Sequence, residues 1–122
     1  MAVAPEYKAY LEELFAPLGS VVFKRMFGGM GIFRHGVMFA LIHSSEGLCF
    51  KADEFNIPDF EAEGSGPWEY ERNGKIMNMG YWRVPERLLD EPDEFRVWAA
   101  KAYEAAVRFD QAKPPRQRKL QV

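Results

Sequence analysis

Tyr7, Tyr10, Leu11, Leu14, Phe15 and Leu18 recur at intervals of three and four residues, with Glu6, Glu12 and Glu13 mostly off that stripe. This spacing predicts an amphipathic helix, opened by Pro5 and ended by Pro17 and Gly19. From Val21 the pattern changes to strands. Val21–Phe27 runs into Gly28-Gly29-Met30-Gly31, then Ile32-Phe33-Arg34. His35-Gly36 predicts a two-residue hairpin turn, because glycine accepts the positive φ that such turns need. The register that follows pairs Phe33 with Met38, Ile32 with Phe39, Gly31 with Ala40 and Met30 with Leu41. One face then carries Met30, Ile32, Val37, Phe39 and Leu41; the other carries Gly31, Phe33, Met38, Ala40 and Ile42. Both are apolar, so both need a cover, from helices or from a second copy of the chain.

Ser44–Gly47 turns the chain into a short strand, Leu48–Lys51. Pro58 and Phe60 allow a short helix before the breaker run Gly64-Ser65-Gly66-Pro67. Asn73-Gly74 is the preferred type I′ pair and predicts a second hairpin, with Tyr70 opposite Met77 and Trp68 opposite Met79. Trp68, Tyr70, Met77, Met79 and Tyr81 then share a core face, where thioether–aromatic contacts are favourable. Pro85–Leu89 forms one turn. Asp90 is expected to cap a last helix that buries Phe95, Trp98, Ala99, Ala102, Ala105, Ala106 and Phe109. The order α-β-β-β-α-β-β-α makes an α+β domain: an antiparallel sheet flanked by helices.

Composition narrows the function without naming it. A chain of 122 residues, 48% apolar and 28% charged, holds one domain, assigned to residues 1–112. The charge is uneven. Up to Ala112 twelve Lys/Arg face eighteen Asp/Glu, whereas the last ten residues carry Lys113, Arg116, Arg118 and Lys119 with no acid. With Pro114 and Pro115 blocking a helix, residues 113–122 are expected to form a flexible basic tail. No run is long enough for a membrane span and no secretory leader is visible, so a cytoplasmic setting is expected.

Candidate chemistry is sparse. The glycine run lacks the Lys-Ser/Thr and the following helix of a phosphate loop, so it is read as a bulge or sharp sheet bend. His35 and His43 fall at opposite ends of one strand and cannot share a metal, and the single cysteine, Cys49, sits mid-strand as a packing residue. The paired acids are surface pairs and none marks a general acid. No catalytic residue, cofactor or metal is therefore expected. Aromatics interleaved with cations leave an alternative, nucleic-acid contact through Lys24, Arg25, Arg34, Lys113, Arg116, Arg118 and Lys119.

Two blocks carry a resemblance. The first is Arg25-Met26-Phe27-Gly28-Gly29-Met30-Gly31-Ile32-Phe33, followed by Gly36 and Phe39-Ala40. The second is Tyr70-Glu71-Arg72, Gly74-Lys75, Met79 and Tyr81-Trp82, with Pro85 after it. Over nearly the whole domain the chain resembles the N-terminal domain of the TfoX/Sxy family, bacterial regulators of competence genes. The resemblance implies a secretion-chaperone-like α+β fold and no catalytic residues. It implies positive control of DNA-uptake genes through a partner transcription regulator. The family's full regulators add a second, C-terminal domain, so this chain reads as a stand-alone form. A non-enzymatic interaction module, dimeric through a sheet face, is the resulting expectation.

Overall fold

Pro5 has no amide proton to lose and a φ suited to a first turn, and α1 begins there, running Pro5–Phe15. A 3-10 turn, Ala16–Leu18, follows and ends at Gly19, whose φ is 82°. The computed structural model describes residues 4–26, 28–43 and 47–121, and the backbone alone at 70–72 and 77–79. Helix α1 buries Leu11, Leu14 and Phe15. The Phe15 ring meets Phe23, Phe39, Phe50 and Phe95 edge-on, at centroid distances of 5.9, 5.7, 6.1 and 5.0 Å. Edge-to-face geometry sets the positive rim of one ring against the negative face of the next.

Those partners come from separate elements of one six-stranded sheet and its helices. The strands are β1 (Val21–Met26), β2 (Gly29–Arg34), β3 (Val37–His43), β4 (Gly47–Lys51), β5 (Pro67–Arg72) and β6 (Lys75–Arg83). They are ordered β1-β2-β3-β4-β6-β5 and antiparallel throughout. Helix α2 spans Ile57–Ala62 and α3 spans Pro92–Gln111. The α+β class and the flanking helices are as expected, but four strands precede α2 where the sequence order counts three. The extra strand comes from the glycine run, which reverses the chain: Met26 pairs with Gly29, and Gly28 between them has a φ of 77°. The run is thus a hairpin turn and not the expected bulge or bend; Phe27 lies outside the described residues.

The bulge sits further on. Phe33 pairs with Met38 as expected, but Ile32 then pairs with Ala40, Gly31 with Leu41 and Met30 with Ile42. Phe39 is the extra residue, and it reverses the facing of everything after it. The main core takes Met30, Ile32, Val37, Phe39, Ala40, Ile42, Leu48 and Phe50, under α1 and α3. Leu41 passes to the opposite face and joins Met38, Cys49, Trp68 and Tyr81. A second irregularity makes that cover possible. Asn78 pairs with Glu69 but Trp82 pairs with Pro67, so Trp68 does not simply oppose Met79, and Gly80 bends the strand at a φ of 78°. The Trp68 ring lies 5.0 Å from His43, and the Tyr81 hydroxyl donates to the Met38 carbonyl at 3.3 Å. Tyr70, Met77 and Met79 pair as backbone only, their side chains being outside the described set.

Two expectations for α3 change. Glu91, not Asp90, is its N-cap, and Phe109 stands 57% exposed instead of on the buried stripe. Past α3, residues 113–121 do not extend as a flexible tail but return as a strap with a 3-10 turn at Pro115–Gln117. Asp110, 2% exposed, holds it: its carboxylate accepts from the Lys119 amide at 2.7 Å and the Leu120 amide at 3.1 Å. Leu120 packs on the main core, and the Gln121 amide donates to the His35 carbonyl at 2.7 Å. Burial alone would raise the Asp110 pKa, but those amides, with Lys113 nearby, hold it below the usual aspartate range.

Two predictions follow from these contacts. A Cβ on Gly29 would lie 1.9 Å from the Ile42 carbonyl oxygen, which is backbone and cannot step aside, whereas one on Gly31 meets the flexible thioethers of Met26 and Met38 at 2.5 and 2.8 Å. Gly29→Ala should cost about 3 kcal/mol and Gly31→Ala clearly less, read as urea midpoints at unchanged slope. For the strap, a depressed carboxyl contributes stability above the unfolded aspartate pKa and loses it as pH falls through its own lower value. The amide shifts of Lys119 and Leu120 should therefore titrate together, with a midpoint below that of ordinary aspartate. Asp110→Asn offers one acceptor oxygen for two amides, and hydrogen exchange at Lys119, Leu120 and Gln121 should quicken roughly tenfold to a hundredfold, with the core strands unchanged.

Candidate functional site

The motif residues do not converge. Arg25, Met26, Gly28, Gly29, Gly31 and Phe33 build the β1–β2 hairpin, whereas Gly74 and Lys75 sit at the tip of β5–β6, and β1 and β5 are opposite edges of the sheet. Gly29 lies too close to the Ile42 backbone for any side chain, Gly31 sits tightly under the Met26 and Met38 thioethers, and Asn73-Gly74, with φ of 53° and 77°, makes the expected turn. Tyr81 is buried in the second cluster, and desolvation pushes its hydroxyl pKa well up. Phe27, and the side chains of Tyr70 and Met79, lie outside the described residues. The described part of the motif therefore shapes and packs the sheet.

The cations divide between two sides. Arg34 pairs across from Val21 on the main-core side, where its Nε donates to the Gly19 carbonyl at 2.9 Å and its guanidinium lies 4.7 Å from the Tyr103 ring. Arg25 pairs with Met30 on that same side and is exposed. Lys24 faces the other way, with Nζ 4.9 Å from the Phe33 ring. Lys113 and Lys119 come to the same opening as Lys24, while Arg116 and Arg118 lie exposed on the strap, where Arg118 Nε donates to the Lys113 carbonyl. A fourth ammonium joins the three at that opening, that of Lys51, which sequence reasoning did not single out. Its signal was positional: strand alternation from the buried Cys49 sets Lys51 on the same face.

Beside this opening runs a shallow groove of about 630 Å³ between the loop after β4 and the end of α3. Phe55, 67% exposed, and Phe109 flank it. Arg108 spans the groove, donating to Asp53 at 2.7 and 3.0 Å and lying 4.5 Å from the Phe55 ring. That bidentate pair holds the Asp53 carboxyl below the usual range and raises the Arg108 guanidinium further. Rigid aromatics beside a fixed charge pair form a surface suited to a peptide or protein side chain.

The groups weighed for catalysis are dispersed. His35 turns toward Tyr103 at 6.4 Å and His43 toward Trp68, and Cys49 is buried in the second cluster. Among the described residues no three His, Cys, Asp or Glu side chains are grouped to hold a metal ion, and no helix is long and apolar enough to cross a membrane.

No curated protein matches the sequence. The model of one family, described as the TfoX N-terminal domain, matches residues 13–106, from the end of α1 through most of α3. That span takes in all six strands, the glycine hairpin and both sheet covers, and the chain therefore belongs to the TfoX N-terminal domain family.

Proposed function

We propose that this chain is a non-enzymatic, cytoplasmic interaction module with a regulatory role, acting on transcription of DNA-uptake genes through a protein partner. Membership of the TfoX N-terminal domain family supports the regulatory side of this reading, since fold alone would not carry a function. The observation that carries the interaction side is the groove with Phe55 and Phe109 exposed at its rim. Large rings left in solvent on a framework this well packed suit docking better than stability. The sequence argument for a second copy is an uncovered sheet face; Trp68 covers that face within the chain, so a different protein at the groove is the better partner. Nucleic-acid binding through the tail together with Arg25 and Arg34 would need those groups on one surface, and Arg34 is engaged by Gly19 and Tyr103.

The test is genetic, backed by a check on folding. Deleting the gene should lower transcripts of DNA-uptake genes. The intact chain should restore them, and the Phe55→Ser/Phe109→Ser variant should not, since truncating rim aromatics of a docking surface costs about 2 kcal/mol of binding or more. The variant should keep the circular dichroism and melting temperature of the parent. Unchanged transcripts on deletion would remove the regulatory role; full rescue by the variant would move the docking surface elsewhere.

A further inference from the structure

The opening beneath the strap holds about 470 Å³, between the sheet and the end of α3, and lysines from four separate segments line it. Lys24 comes from β1, Lys51 from β4, Lys113 from the residues after α3, and Lys119 from the strap. Among the described residues one carboxylate, Asp110, lines it; its oxygens accept from the strap amides, and one of them lies 3.8 Å from Lys113 Nζ. Among the described lining residues four lysines meet that one carboxylate, in a chain whose net charge is −2.

Aromatic rings fix these cations at the opening. Lys51 Nζ lies 3.9 Å from the Phe109 centroid and 5.0 Å from Tyr81, and Lys113 Nζ lies 5.2 Å from Phe109 on its own account. Such contacts hold an ammonium in place while its stem is buried, and Lys51 is only 8% exposed. Burial, with Lys113 close by, pushes the Lys51 pKa down, against a smaller opposing pull from Asp53. A bound anion would favour the charged form of Lys51.

We propose that this opening is a binding site for a small phosphate-bearing molecule, its phosphate held among Lys24, Lys51, Lys113 and Lys119. The volume suits a ligand of nucleotide size or less. A compact anion fits better than a nucleic-acid strand. The basic surface continues only along the strap, at Arg116 and Arg118: Asp53 and Glu54 line the neighbouring groove, and Arg25 and Arg34 are on the other side of the sheet. Two of the four lysines belong to the segment after α3, so occupancy also tightens the strap. The opening shares Lys51 and Phe109 with the docking groove, whereas Lys24, Lys113 and Lys119 line the opening alone, so variants at those positions separate the two roles.

Isothermal titration of the full chain with pyrophosphate, AMP, ATP and a short single-stranded DNA, at low and physiological salt, tests it. The small phosphates should bind, and affinity should drop about tenfold or more in Lys24→Ala and in Lys119→Ala, both exposed positions that leave the core intact. Lys75→Ala, at the far hairpin tip, should bind as the parent does. Hydrogen exchange at Leu120 and Gln121 should slow on binding. No binding of small phosphates at millimolar concentration, parental affinity in the two lysine variants, an equal loss in Lys75→Ala, or binding of the DNA alone would each overturn the proposal.

Discussion

Strand β3 is apolar on both faces, and such a strand must be covered twice within the chain or by something outside it. Most of this architecture is a response to that requirement. The bulge at Phe39 lets two successive residues, Phe39 and Ala40, serve the helix-covered core, and passes Leu41 to the other side. Helices α1 and α3 supply one lid, tied to the sheet through Phe15. The β5–β6 hairpin supplies the second, because the irregularity around Gly80 brings Trp68 onto Leu41 and Cys49. Removing either irregularity would strand an apolar surface in water, where roughly 25 cal/mol per Å² opposes it.

The two hairpin turns at His35-Gly36 and Asn73-Gly74 were legible because positive φ selects few residue types, and the helices because their apolar stripes have a clear period. The Phe39 bulge was not. Bulges show in a sequence when alternation breaks, and where both faces are apolar there is no alternation to break. Gly80 was hidden for a related reason: a lone glycine in a strand pattern is compatible with bending or with none. The strap was missed because Pro114-Pro115 announces that a helix stops, not where the chain goes next. Its course is decided by a carboxylate nine residues earlier that no local pattern connects to it.

The same distinction explains the candidate sites. The glycine-rich block is the most recognisable stretch of the chain, yet its described residues make a turn and two close approaches, so its distinctiveness records packing. The lysines that meet at the opening come from four segments spread over ninety-five residues and form no motif. Lys51 in particular reads as the polar end of an apolar strand. Only its pairing with Tyr81, and the arrival of Phe109 from α3, give it a place.

The strand order also bears on how the molecule assembles. From β1 to β4 each strand pairs with the one before it, and β6 alone reaches past its sequence neighbour. Loop closures of this length are entropically cheap, so the sheet can form by adding one hairpin at a time. The strap is the exception. Its seat is made jointly by the end of α3 and the turn between β2 and β3, and it does not exist until those two have met. It is the last piece to close and the first that can open, which makes it a local unfolding unit on an otherwise cooperative domain.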